Sequence, residues 1–143
     1  MGTVVAEITL KNAYDVMNAH RGIIGSTDIH QTTVEAVVDT GAMTLIINDK
    51  LCRDLGLEIL GTKETRMANN MKETIRVAET VEIHWKDRSM TCRPWVLSGT
   101  EDVLLGVIPL EDMDLIVDPA RETLAGAHGD EPLGFIRSPR PIR

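Results

Sequence analysis

An acidic residue between two apolar runs constrains the fold of this chain more than any other feature. The stretch AVVDTGAMTLII, residues 36–47, places Asp39 and then Thr40-Gly41 after one apolar segment and directly before another. A carboxylate in such a position is costly to remove from water unless hydrogen bonds or opposite charges compensate it. The turn must therefore give Asp39 polar partners while the two flanking segments enter a core.

Most of the remaining sequence has the alternation of apolar and polar residues that is typical of strands. Strands are predicted at residues 3–10, 32–40, 43–48, 90–97, 103–106 and 115–118, and a long hairpin at residues 61–85. Asn48 and Gly56 bracket a short helix, because Asn favours a helix N-terminus and Gly its C-terminal end. Pro109 suits the first turn of a second helix, and residues 11–31 are predicted to be a loop with one short helical turn. The pattern indicates an all-β domain, either a barrel or a sandwich.

Length and charge limit the kinds of protein this can be. A chain of 143 residues favours one domain, here residues 1–125, followed by a loose Gly-, Pro- and Arg-rich tail at 126–143. The formal net charge of −7 argues against a nucleic-acid partner and against an anionic membrane surface. Neither a transmembrane run nor a signal peptide is recognisable in the sequence, which predicts a cytoplasmic protein.

The sequence offers no motif for a metal ion or another cofactor. Cys52 and Cys92 form no paired motif and are expected to be small buried apolar residues. The four histidines have no metal-ligand spacing. We therefore expect neither a metal nor a cofactor.

Three interpretations of the Asp-Thr-Gly turn are open. The simplest is an ordinary turn, since Asp and Gly are frequent turn formers, although apolar residues flank this one on both sides. The second is a phosphate-binding turn of the actin-like ATPase kind. That fold needs two large lobes, which 143 residues cannot supply, and the chain has no P-loop pattern. The third is the catalytic loop of an aspartic protease.

Three elements in order support the third interpretation. VVDTGA, residues 37–42, is followed by RMANNM, residues 66–71, at the tip of the predicted hairpin, and then by VLLG, residues 103–106, before a short helix. Together they resemble the retroviral-type, or retropepsin-like, aspartic proteases, and the resemblance is greatest to the small bacterial and archaeal members. It covers roughly residues 3–124 and implies a closed acid-protease barrel with a long flap hairpin and one or two short helices.

The resemblance also implies roles for individual residues. Asp39 is the catalytic residue, and Thr40, Gly41 and Ala42 support the active-site loop. The residues expected to contact substrate lie in the flap and after the third motif; they are Met67, Ala68, Asn69, Asn70, Met71, Leu105 and Val107. Two positions depart from the family pattern: Ala68-Asn69-Asn70 stands where many relatives have Ala-Asp-Gly, and Val107 where viral members often have Arg.

The chemistry of this family requires two carboxylates that share one proton. The chain contains only one Asp-Thr-Gly and no Asp-Ser-Gly, so the second carboxylate has to come from a second copy. The expected protein is a homodimeric endopeptidase that acts on an extended peptide. Two other functions stay open: a dimeric peptide-binding or regulatory module without turnover, since fold does not fix function, and an inactive monomeric precursor.

Overall fold

The computed structural model describes residues 3–66 and 68–128, and within them strands predominate. The strands are β1 (Val5–Asn12), β2 (Gln31–Val38), β3 (Leu45–Ile47), β4 (Ile59–Arg66), β5 (Lys72–Ala78), β6 (Val81–Trp85), β7 (Arg88–Cys92), β8 (Trp95–Val96), β9 (Leu104–Leu105), β10 (Leu115–Asp118) and β11 (Thr123–Gly126). The helices are α1 (Ala13–His20), α2 (Asp49–Asp54) and α3 (Val107–Asp112), with a 3-10 turn at Ser26–Asp28.

Nine of these strands form one sheet in the order β4-β5-β8-β3-β9-β2-β1-β6-β7. The sheet curls into a half-barrel, while β10 and β11 pair separately as an antiparallel ribbon. In the part of the chain that the structure describes, β4 and β7 are the two ends of the sheet, and neither pairs with the other. The mostly β architecture is confirmed, whereas the described strands do not confirm the closed barrel expected from the resemblance.

The core lies inside the curl and consists largely of aliphatic side chains. Alternation along β1 buries Ala6, Ile8 and Leu10, as the sequence pattern predicted. Leu55 and Met113, which follow α2 and α3, are fully buried against the same cluster. Each fully buried large apolar side chain contributes about 1.5–3 kcal/mol relative to leaving it exposed, so the short helices serve mainly to close the open side of the sheet.

Several elements differ from the sequence prediction. Residues 11–31 hold an eight-residue helix, α1, rather than one short turn, and the described residues contain three helices instead of one or two. The strand predicted at 90–97 is interrupted at Pro94, which has no backbone N–H for a ladder. The strand at 115–118 is not the last, because β11 pairs with it. Of the predicted tail, residues 129–143 lie outside the described residues.

The long hairpin is present but shorter than predicted, because residues 81–85 form β6, which pairs with β1 and β7. The hairpin is fixed to the body of the domain. β4 and β5 pair from Ile59 with Ala78 to Arg66 with Lys72, and Asn70 near the tip adopts a left-handed φ of 66°. At the base, Arg76 Nη2 lies 2.7 Å from Asp49 Oδ1 of α2 and donates to Ser98 Oγ. The hydrogen bond from Arg76 lowers the pKa of Asp49 below its ordinary value. These contacts leave the tip as the free end of the hairpin.

No helix among residues 3–66 and 68–128 is long and apolar enough to cross a membrane.

A buried asparagine explains why α1 begins where β1 ends. Asn12 is 4% exposed, and its Oδ1 accepts a hydrogen bond from the Asp15 backbone N–H, which caps the helix. Its Nδ2 donates to the Leu55 carbonyl at 2.9 Å and to the Gly56 carbonyl at 3.4 Å. One side chain thus joins the end of β1, the start of α1 and the end of α2.

We predict that Asn12→Ala destabilises the domain by about 2–3 kcal/mol, because it removes a helix cap and leaves buried carbonyls without a donor. Asn48→Ala is the matched control. Asn48 also caps a helix, donating to Glu101 O and accepting from Leu51 N–H, but is less buried. We expect it to cost about 1 kcal/mol. Urea unfolding measures both, and equal losses would contradict a special role for Asn12.

Candidate active site

The Asp39 turn joins two strands that are held apart by a third. β9 lies between β2, with which it is parallel, and β3, with which it is antiparallel. The Asp39 backbone N–H donates to the Leu105 carbonyl of β9 at 3.0 Å. The turn therefore leaves the sheet at a fixed point, with β9 filling the space between its two ends.

The backbone of the turn supplies the polar partners that Asp39 needs. The Gly41 N–H donates to Asp39 Oδ1 at 2.8 Å, and the Ala42 N–H donates to the Asp39 carbonyl at 3.0 Å. A Cβ on Gly41 would lie 3.1 Å from Asp39 Oδ1, so glycine gives this N–H its close approach. Ala42 is buried, Asp39 is half-buried, and Thr40 and Gly41 are exposed. The result is a carboxylate held by its own turn at the surface of the domain.

Gly106 permits the turn and the end of β9 to cross at close range. The Val107 and Ile108 N–H groups donate to the carbonyls of Ala42 and Met43, each at 2.9 Å. A Cβ on Gly106 would lie 2.5 Å from the Thr44 carbonyl oxygen and 2.6 Å from that of Ala42. These distances are too short for any side chain, so the glycine of the VLLG motif has a direct steric reason.

An open cleft of about 430 Å³ runs beside Asp39. Its walls come from the chain start, the end of β2, the turn and the β10–β11 ribbon, and they include Thr3, Val38, Thr40, Val117 and Pro119. Among the described residues, the hydrogen bond that the Asp39 carboxylate accepts comes from the Gly41 backbone, and no other Asp or Glu lines this cleft. Nor do the described residues contain a cluster of His, Cys, Asp and Glu suited to a metal ion.

The segment that contains the Asp39 turn matches a known protein family. The model of the family described as "gag-polyprotein putative aspartyl protease" matches residues 26–112, which is more than half of the chain. The chain belongs to this aspartyl protease family. The match includes the Asp39 turn, the hairpin, Gly106 and α3. A search of curated proteins finds no match.

Solved structures place the fold of this family member among retropepsin-like proteins. The retroviral protease-like domain of Ddi1 from Leishmania major has a TM-score of 0.54 at 14% identity, with 87% of this chain and 88% of that chain covered. A retropepsin-like aspartic protease from Rickettsia conorii has a TM-score of 0.42 at 18% identity, with 82% and 89% covered. The similarity to the Leishmania domain supports the half-barrel fold of this aspartyl protease family member. The Rickettsia structure is less similar in fold.

The predicted substrate-contacting residues differ in their exposure. Ala68, Asn69, Asn70 and Met71 are exposed at the hairpin tip, whereas Met67 lies outside the described residues. Arg66 donates to Asn70 Oδ1 at 2.8 Å, and the Met71 N–H donates to Asn69 Oδ1, so both asparagines stabilise the turn itself. Val107 is half-buried at the start of α3.

Leu105, the last of the predicted substrate-contacting residues, is buried. Its side chain is 0% exposed and belongs to the core cluster, because β9 pairs on both edges and Leu105 faces inward from it. Its carbonyl accepts the hydrogen bond from the Asp39 N–H, so Leu105 supports the turn, and its contact with substrate stays a prediction.

Sequence reasoning missed a second cleft, of about 450 Å³, which Met43 and Thr44 line just after the turn. Its lining comes from five separated parts of the chain and includes Met43, Leu60, Lys63, Cys92, Arg93, Trp95 and Ile108. Burial raises the pKa of the Cys92 thiol to about 11, so this cysteine is a neutral thiol at neutral pH. No local motif marks these residues; only the long-range pairing of the sheet brings them together.

We predict that Gly106→Ala destabilises the domain by about 1–3 kcal/mol or more, because the added Cβ forces two backbone segments apart. Gly61→Ala is the matched control, since a Cβ at Gly61 meets nothing within 4 Å. We expect that change to stay within about 0.5 kcal/mol. Thermal unfolding compares the two, and a Gly106→Ala protein as stable as the control would refute the steric argument.

Proposed function

We propose that two copies of this chain form a homodimeric aspartic endopeptidase, in which Asp39 of each copy contributes to one catalytic pair. The observation that carries the proposal is a half-complete site: the Asp39 carboxylate is held by its own turn at the surface, but the described residues supply no second acid. Membership of an aspartyl protease family supports the same reaction. A second copy, related by a twofold axis, would supply the missing group from the same surface.

Charge repulsion sets the protonation of such a pair. Two unit charges about 4 Å apart repel by about 4 kcal/mol at an effective dielectric of about 20. The dimer therefore holds one proton between the two carboxyl groups over a wide range of pH, and it titrates as a unit. One carboxyl group is then a base and the other an acid at the same time.

This arrangement accounts for peptide hydrolysis without a cofactor. The ionised Asp39 takes a proton from a water molecule as the water oxygen attacks the peptide carbonyl carbon. The protonated Asp39 of the other copy donates its proton to the carbonyl oxygen. When the tetrahedral intermediate collapses, the first Asp39 gives the proton it took from water to the amine nitrogen, and one hydroxyl of the intermediate returns a proton to the second Asp39. The C–N bond then breaks, which leaves a carboxylic acid, an amine and a pair that again holds one proton.

Two exposed features of the chain fit the proposed dimer contact and the proposed binding of a peptide. Thr40 is exposed beside Asp39. A hydrogen bond between Thr40 and the second copy would hold the two turns together. The hairpin β4–β5 is proposed as the flap that closes over an extended peptide, with Met67 to Met71 and Val107 near the substrate. Among the described strands β4 pairs only with β5, so its outer edge is free to bond a peptide backbone.

We predict that Asp39→Asn lowers the cleavage rate of an unfolded protein such as labelled casein by at least about a thousandfold, since the amide can neither accept nor donate the shared proton. Asp102→Asn is the matched control: it makes the same chemical change at an exposed carboxylate outside the Asp39 turn. We expect that control to retain wild-type activity between about pH 3 and 8.

Sedimentation of the same three proteins tests the dimer. A wild-type dimer that cuts, with a dimeric but inactive Asp39→Asn protein, supports the paired site. A dimer that binds peptides and cleaves none at any pH would favour the binding-module alternative. A protein that stays monomeric, or full activity in Asp39→Asn, would contradict the proposal.

A further inference from the structure

The second cleft has a composition that differs from the rest of this acidic protein. Three of its apolar side chains are unusually exposed: Met43 at 58%, Leu60 at 50% and Ile108 at 47%. Two cations, Lys63 and Arg93, also line it, and no Asp or Glu is among its lining residues. The chain as a whole carries a net charge of −7. The second cleft thus combines exposed apolar side chains with an excess of positive charge.

The two cations are available to a ligand. Among residues 3–66 and 68–128, neither Lys63 nor Arg93 forms an ion pair with a carboxylate. Lys63 Nζ lies 5.7 Å from the centre of the Trp95 ring, so a ring on the cleft wall positions its ammonium group. Asp112 is near enough to Cys92 to raise the pKa of its thiol but does not line the cleft.

The cleft crosses three neighbouring strands of the sheet. Gly61 of β4 pairs with Val77 of β5, Val77 pairs with Trp95 of β8, and all three residues line the cleft. On β4 the lining continues over four consecutive residues, from Leu60 to Lys63. Pairing with β5 shifts register between Ile59 and Gly61, which leaves Leu60 as the extra residue of a bulge. Bulges of this kind redirect a side chain, and here Leu60 enters the cleft.

The distance to Asp39 fits a peptide that reaches both sites. Met43 follows Asp39 by four residues, so their Cα atoms are at most about 14 Å apart even along an extended chain. An extended peptide advances about 3.3 Å per residue. A side chain in the cleft is therefore within about four residues of a bond held at Asp39.

We propose that the second cleft is a selectivity subsite that accepts an apolar side chain of an extended peptide next to an acidic residue. The apolar side chain packs among Met43, Leu60 and Ile108, and the neighbouring Asp or Glu pairs with Lys63 or Arg93. The inference rests on the proposed function for the position of the cut, but binding of the peptide does not require cleavage.

The test uses unstructured dodecapeptides in which Leu next to Glu, Gln or Lys is placed at each position in turn. Cleavage is measured as kcat/KM with the full-length wild type. Binding of fluorescein-labelled peptides is measured separately by anisotropy with the Asp39→Asn protein. We expect Leu-Glu peptides to exceed Leu-Lys peptides by about fivefold or more, as exposed ion pairs allow.

Charge reversal identifies the residues responsible. Lys63→Glu/Arg93→Glu should invert the order of the Glu and Lys peptides in both measurements. The control Arg21→Glu/Arg53→Glu changes the formal charge equally at exposed positions outside the cleft and should keep the wild-type order. Lys63→Gln and Arg93→Gln, which remove the charges singly, should each weaken the preference, and thermal unfolding confirms that every variant is folded.

A second pair of variants tests the apolar part of the cleft. Ile108→Asn should reduce the preference for Leu over Ser at the selected position. Ile23→Asn makes the same change at a side chain that is 66% exposed and outside the cleft, and it should have no effect.

The outcomes separate this inference from the proposed function. Cleavage with no preference, or a preference that charge reversal leaves unchanged, overturns the subsite and leaves the peptidase standing. If the Asp39→Asn protein binds selectively, charge reversal inverts that order and the wild type cleaves no peptide, the subsite is supported and the peptidase is contradicted. Neither binding nor cleavage overturns both.

Discussion

The crossing of two backbone segments at Gly106 is the constraint on which the rest of the site depends. One segment is the Asp39 turn; the other is the passage from β9 into α3. Their contact is made by main-chain hydrogen bonds from Val107 and Ile108 to the carbonyls of Ala42 and Met43. Because these bonds connect backbone atoms, the position of Asp39 depends little on which side chains surround it. In the proposed peptidase, topology would therefore place the catalytic group, and side chains would be free to set selectivity.

Two clefts lie along the segment that contains the turn. Asp39 and Thr40 border the cleft shared with the β10–β11 ribbon, whereas Met43 and Ile108 border the cleft with Lys63 and Arg93. Residues only a few positions apart in the turn thus line two surfaces. In the proposed peptidase, this separation would let the catalytic group stay fixed while the selectivity surface changes, since the two clefts share no lining residue.

Local sequence signals predicted those parts of the fold in which one segment determines its own structure. The alternation of Ala6, Ile8 and Leu10, the Asn48 cap of α2 and the Asn70 turn of the hairpin are all of this kind, and the structure confirms them. The helix α1 is longer than the single turn predicted, although Asn12 caps the Asp15 N–H, because the glycines that follow favoured a loop. The burial of Leu105 and the second cleft could not be predicted for a different reason: strands distant in sequence form their environment, and no local pattern encodes it.

The hydrogen bonds of the Asp39 turn have a consequence for how the proposed site would assemble. The bonds from Gly41 and Ala42 and those at the Gly106 crossing connect the turn to its own chain. A dimer would then join two turns that these bonds already hold, and association would lose little conformational freedom at the turn itself. In the proposed dimer, two ionised carboxylates would repel each other, and uptake of one proton would relieve that repulsion. Proton uptake and assembly would thereby be coupled, and the singly protonated pair that the proposed reaction uses would assemble most readily.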